Sequence, residues 1–185
     1  MGTLYVVATP IGNLEDISLR ALRVLKEVRL VAAEDTRATK RLLARYGIET
    51  PLTSYFEHNK LAKLDYVLAA AAEGDVAVVS EAGMPGLSDP GYELVVAAIA
   101  RGIAVVPVPG PSASITALAV SGLPTDQFVY LGFLPRRSAD RRRLLAEVAD
   151  EPRTLVAFEA PHRLLRGLED IAAELGNRRL AVARE

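Results

Sequence analysis

The sequence predicts an α/β protein built around a mostly parallel sheet, and three observations carry that prediction. Short apolar runs such as Thr3–Thr9, Val76–Val79 and Ile103–Val108 lack polar alternation, as strands covered on both faces do. Stretches with helical spacing of apolar residues separate these runs. Loops rich in Gly and Pro stand where the strand-like runs end.

Thr3–Thr9 is β-branched and aromatic, and Pro10-Ile11-Gly12-Asn13 ends it sharply. Asp16 is the expected cap of a helix whose Ile17, Ala21, Val24 and Val28 share one face. Val28–Ala33 reads as a second strand arriving at Glu34-Asp35-Thr36-Arg37, followed by a helix to Tyr46 that Gly47 ends. Leu52–Tyr55 reads as a short strand, and Leu61–Ala72 as a helix closed by Gly74. Val76–Val79 then feeds a shaped loop, Ser80–Gly91, ahead of a helix over Tyr92–Ala100. Ile103–Val108 is a further strand, Pro109–Ser114 its loop, and Ile115–Val120 a helix. Ser121–Asp126 is the expected linker. It divides an N-terminal Rossmann-like α/β domain, residues 1–121, from a second α/β domain, residues 122–185.

In the second domain, strand Gln127–Phe133 and strand Arg153–Glu159 flank a helix over Ala139–Ala149. Pro161 opens another helix, with Leu164, Leu168, Ile171 and Leu175 on one face. Arg178–Glu185 reads as a last strand. So few strands with an exposed edge predict a mixed-sheet domain that is incomplete at the C-terminus, as in a piece of a longer protein.

The totals narrow the function. The chain has 185 residues, a net charge of −1, two His and no Cys, so thiolate metal sites, disulfides and Cys nucleophiles are excluded. No metal site is expected. No signal-peptide pattern and no apolar run of roughly 20 residues occurs, which predicts a cytoplasmic protein with no membrane partner. Charge is unevenly spread: residues 1–135 hold 11 basic and 14 acidic side chains, whereas residues 136–185 hold 11 basic, all Arg, and 9 acidic.

Four strand-end loops in the first domain (Thr9–Asp16, Glu34–Arg37, Glu81–Asp89, Pro109–Ser114) fall along one rim if the strands are parallel. None has the G-x-G-x-x-G or G-K-[ST] spacing that cradles phosphates. They offer backbone groups, small side chains and carboxylates, which suit a ligand with hydroxyls, an amine and an adenine ring. Glu81, just past a buried strand, is placed to accept bonds from a ribose diol, to lie beside a cationic centre, or only to cap a turn. Asp89, before Pro90, reads as a helix cap. Glu34, Asp35 and Arg37 form a charged group that serves either capping and local ion pairs or catalysis. His58 lacks a defined partner and is a weak candidate base. In the second domain Arg136, Arg137, Arg141, Arg142 and Arg143 are either a solvated helix face or an RNA-phosphate track.

The blocks Gly2–Asp16 (GTLYVVATPIGNLED), Glu34-Asp35-Thr36-Arg37, Ser80–Gly91, Pro109-Gly110-Pro111-Ser112, Gly132-Phe133-Leu134-Pro135 and Glu159-Ala160-Pro161-His162-Arg163 occur in that order. Together they resemble the class III, tetrapyrrole-methylase-like family of S-adenosylmethionine-dependent methyltransferases, in particular its bacterial members that methylate ribosomal RNA. The resemblance implies a two-domain homodimer with S-adenosylmethionine as cofactor. It implies, as substrate, the ribose 2′-hydroxyl of a cytidine in 16S rRNA of the small ribosomal subunit. It maps cofactor contacts onto Pro10, Gly12, Glu81, Ala82, Gly83, Met84, Ser112, Ala113, Phe158, Glu159 and Ala160. Family members commonly carry Asp, Thr and Tyr where Glu81, Met84 and Phe158 stand here. The candidate base is Asp35, with Glu34 and Glu159 behind it, and Arg37 is placed to hold a phosphate. Rival expectations are a sister methylase acting on a tetrapyrrole or protein side chain, a non-catalytic RNA-binding module, and a nicotinamide-dependent oxidoreductase that the missing glycine fingerprint disfavours.

Overall fold

A computed structural model describes residues 2–184, which form two units divided between Ala113 and Ser114. The first unit is a five-stranded sheet of order β3-β2-β4-β1-β5, all parallel: β1 Thr3–Val7, β2 Leu30–Ala33, β3 Leu52–Ser54, β4 Val76–Val79 and β5 Ala104–Val108. Every residue of β2 and β4 is buried, which explains their unbroken apolar sequence. Alternate residues serve opposite faces. Val7, Val31, Ala33, Ala77 and Val79 meet α1 (Leu19–Glu27) and α2 (Thr36–Arg45). Leu4, Val6, Ala32, Val76 and Val78 meet α3 (Lys60–Glu73) and α4 (Tyr92–Ala100).

Two expected caps are corrected. Ser18, not Asp16, caps α1, its Oγ accepting the Ala21 N–H at 3.0 Å, because Asp16 belongs to a short 3₁₀ turn over Leu14–Asp16 that ends two residues ahead of the cap position. Asp89 does not cap α4. Gly91 holds that position with φ +147° and no side-chain bond, and a Cβ there would come within 3.2 Å of the Gly86 nitrogen. Asp89 stands two residues ahead of that position, and its carboxyl takes a bond from Ser80 instead.

The division between the units falls at the start of α5 (Ala113–Val120), ahead of the expected linker at Ser121–Asp126. The second unit holds β6 (Phe128–Phe133), α6 (Ser138–Glu147), β7 (Thr154–Phe158), a 3₁₀ turn at Pro161–Arg163 and α7 (Leu164–Leu175). β6 and β7 pair in parallel, with an irregularity between Tyr130 and Gly132. The expected strand over Arg178–Glu185 does not form: residues 178–184 are irregular, and Glu185 lies outside the described residues. The second sheet therefore has two parallel strands and no mixed pairing among the described residues. Among those residues no helix is long and apolar enough to cross a membrane.

Candidate functional site

β1 and β4 are neighbours, but their connections part: the chain from β1 leads to α1 on one face and that from β4 to α4 on the other. Such a switch point opens a crevice at the carboxyl ends of the strands. The loops meet there. Thr9 and Gly83 exchange backbone hydrogen bonds, with N···O distances of 2.9 and 3.1 Å. The Thr9 hydroxyl donates to the Ser80 carbonyl at 3.3 Å, and the Ser80 hydroxyl donates to the Gly83 carbonyl at 3.2 Å. Gly83 has φ +86°, so a side chain there would strain the backbone, and it lies in van der Waals reach of the Pro111 carbonyl of the fourth loop. A cavity of about 320 Å³ opens beside this seam, lined among others by Thr9, Pro10, Thr39, Arg41, Ser80 and Glu81.

The second loop joins through a carboxylate. Glu34 donates its N–H to the Val79 carbonyl, and its Oε2 accepts the Glu81 N–H at 3.1 Å. The Glu81 side chain is left exposed at the rim. Asp89 is half-buried near both. Burial, followed by the Glu34 charge, pushes its carboxyl up to about 6, against a bond from Ser80 that pulls it down. Asp35 is in the opposite condition. Its Oδ1 accepts the Arg37 and Ala38 N–H groups at 2.7 and 3.0 Å, capping α2. The Ala38 and then the Arg37 backbone bonds hold its carboxyl below the usual range, which makes it a weak proton acceptor.

The other expected residues of this unit fall as follows. Pro10 is buried in the cavity wall, while Gly12 (φ +150°) and Ala82 are exposed. Met84 is partly buried and packs on the α3–α4 core. Ser112 and Ala113 follow β5 at the same rim. Arg37 is exposed beyond the cap. His58 is exposed and stands edge-on to Phe56. Sequence reading missed Arg41 as a cavity residue, although its place four residues after Arg37 was a legible signal. It also missed buried Tyr55, whose hydroxyl has no hydrogen-bond partner among the described residues. Burial, with the Glu93 charge next, pushes that phenol up to about 12.

In the second unit, Phe158 ends β7 against the rings of Tyr130 and Phe133, with centroids 5.8 and 5.2 Å away. Glu159 follows. Its Oε1 accepts the Ala160 N–H and pairs with Arg163 Nη2, each at 2.7 Å, while Oε2 is buried without a partner. Gly167 of α7 makes room for it, since a Cβ there would lie 3.2 Å from Oε2. An apolar cavity of about 520 Å³ adjoins this point, lined by Leu131, Leu145, Leu155, Leu168 and Ile171 among others.

One member of the expected Arg track is lost to the interior. Arg141 is buried: Nε donates to Asp170 Oδ2 at 2.8 Å and Nη1 to the Pro135 carbonyl at 2.9 Å, leaving it no group for a phosphate. Arg142 pairs with Glu174 and Arg143 with Asp140. Arg136 and Arg137 remain exposed at the start of α6 without an ion pair among the described residues.

Residues 3–185 match the family described as Tetrapyrrole (Corrin/Porphyrin) Methylases. The chain is 54% identical over 185 residues to "Ribosomal RNA small subunit methyltransferase I" of Halalkalibacterium halodurans, covering 100% of this chain and 64% of that protein. It is 56% identical over 186 residues to the protein of the same name from Pseudomonas aeruginosa, covering 100% and 66%. With the one from Thermotoga maritima the identity is 52% over 186 residues, covering 100% and 83%. The chain thus spans somewhat less than two thirds of the first two relatives. Two solved structures share the fold at 22% identity: the uroporphyrin-III-C-methyltransferase from Thermus thermophilus (TM-score 0.62, 94% of this chain and 74% of that one) and the methyltransferase CobJ (TM-score 0.68, 94% and 77%). With the family match running almost end to end and more than half of its residues shared with those relatives, the chain belongs to the tetrapyrrole methylase family, in the branch of the ribosomal RNA small subunit methyltransferases I.

Proposed function

We propose that this chain transfers a methyl group from S-adenosylmethionine to a ribose 2′-hydroxyl of a cytidine in 16S ribosomal RNA. The observation that carries the reading is identity above one half, along the whole chain, with proteins named for that ribosomal RNA. The chemistry of the rim fits the cofactor. The Thr9–Gly83 backbone pair fixes the shape of the rim, and the carboxylates Glu34, Glu81 and Asp89 suit hydroxyls and a cationic sulfur. S-adenosylmethionine, when bound, supplies the activated methyl and its own leaving group.

The chain's residues then have two tasks, alignment and proton removal. Glu81, held by its backbone bond to Glu34, orients hydroxyls of the donor. Asp89, with a carboxyl near neutrality, suits proton acceptance better than Asp35, whose charge is committed to capping. Arg37, Arg136 and Arg137 are free to meet phosphates. Pro10, Gly12, Ala82, Gly83, Met84, Ser112 and Ala113 are the further cofactor contacts proposed on the first unit, and Phe158, Glu159 and Ala160 those proposed on the second. The reading extends to a cytoplasmic homodimer acting on the small ribosomal subunit.

The test supplies labelled S-adenosylmethionine and small subunits that lack the modification. Label on a cytidine ribose is expected. Tight cofactor binding with no transfer to ribose would overturn the RNA substrate and favour a sister methylase.

A further inference from the structure

Resting on the ribosomal RNA reading above, we infer that the exposed face of α2 is a docking surface for the RNA phosphate backbone. α2 has the sequence TRATKRLLAR, with four cations and no acid. Thr39, Leu42 and Leu43 are its buried side. At about 100° per residue, Arg37, Lys40, Arg41 and Arg45 fall within a sector of about 140° centred opposite that buried side. At about 1.5 Å per residue the sector runs roughly 12 Å along the axis. All four side chains are exposed.

Among the described residues none of the four makes an ion pair, as is true also of Arg20, Lys26 and Lys63, whereas Arg23, Arg29, Lys60 and Arg101 of this unit do. Two of the acids nearest the face are already engaged. Asp35 feels the Arg37 and Arg41 charges, but its carboxylate is held by two N–H groups of the helix start. Glu34 accepts the Glu81 N–H instead. A helix face that keeps its cations unpaired, in a unit carrying more acids than bases, is matched by a polyanion and not by a protein surface of mixed charge.

The face also leads to the candidate site. Arg41 lines the same cavity as Thr9, Pro10, Ser80 and Glu81. Phosphates tracked along Arg45, Lys40 and Arg41 would present the next ribose at the rim, where a 2′-hydroxyl has to be delivered. Recognition through phosphate and ribose, without base reading, is the mode expected of a protein that binds folded RNA by shape.

The test titrates a labelled small-subunit ribosomal RNA transcript with the full chain across a salt series. Replacing Lys40→Gln, Arg41→Gln and Arg45→Gln together is expected to lower affinity more than about tenfold. The slope of log affinity against log salt should fall by about 2, at roughly 0.7 per lost single-strand phosphate contact. Arg41→Lys with Arg45→Lys should keep the slope, since the charge is kept. Arg142→Gln with Arg143→Gln should leave it unchanged. An unchanged slope in the triple variant, with methyl transfer by the parent chain intact, overturns the inference and spares the function. A lowered slope with no methyl transfer by the parent chain overturns the function and spares the docking surface. Failure of the parent chain to bind the transcript at all overturns the docking surface.

Discussion

The two units use parallel strands of similar sequence and close in different ways. In the first, β2 and β4 are buried on both sides, and two apolar clusters, one on each face of the sheet, close the fold. In the second, no residue of β6 or β7 is fully buried, a cavity of about 520 Å³ stays open beside them, and the deepest contact between α6 and α7 is polar. There Arg141 and Asp170, with side chains 3% and 11% exposed, form an ion pair that also takes the Ser138 hydroxyl and the Pro135 carbonyl. An apolar run thus specifies a strand, while the number of neighbours decides whether that strand becomes core. Where apolar burial is thin, a fully bonded charge pair can fix the geometry of the elements.

The sharpest way to break this contrast is to remove one partner of that pair. Arg141→Ala leaves Asp170 without its ion-pair partner and is expected to destabilise the second unit by about 3–5 kcal/mol, whereas Arg142→Ala, at an exposed pair, should cost far less. Amide hydrogen exchange resolved by residue reads the two units separately, and equal effects of the two variants would refute the special role of the buried pair.

Truncating apolar groups probes the other half of the contrast. Leu4→Ala, at a fully buried position, should destabilise the first unit by roughly 2–5 kcal/mol. Leu155→Ala, which lines the open cavity, should cost about 1 kcal/mol or less because little new void is made. Denaturant midpoints followed by probes in each unit measure both. Similar losses would show that the second unit is as tightly packed as the first.

The smallest effect concerns a half-buried charge at the rim of the first unit. Asp89 is raised on folding, to about 6, so the folded state holds its proton more tightly than the unfolded state does. Its contribution is most favourable below the unfolded value near 3.8 and is lost as pH rises through about 6. Asp89→Asn should therefore stabilise the protein at pH above about 7, by on the order of 1 kcal/mol or less after solvent screening, with the advantage vanishing near pH 4. Thermal unfolding at the two pH values checks the sign. A gain that is the same at both would mean that the charge of Asp89 is not its cause.

Much of the first unit was legible in the sequence because strand signals are local. The runs at Thr3, Val76 and Ile103, the Gly- and Pro-rich ends and the order of the loops all follow from which side chains stand side by side. Parallel pairing then carries those loop ends to one rim. Capping was less legible: Asp16 and Asp89 have the right chemistry at the right distance, but a 3₁₀ turn and a glycine-folded loop carry them away from the helix starts.

The sequence by itself determined the alternating α/β order, the strand-end loops that form the candidate site and the blocks that mark the family. Only the tertiary structure decided which charges are available to a ligand. In the sequence the cluster from Arg136 to Arg143 outshone the cations of α2. Folding set Asp170 and Glu174 of α7 against Arg141 and Arg142, while the cations of α2 make no ion pair among the described residues. Charge availability depends on partners distant in the chain, and no local pattern records where those partners come to rest.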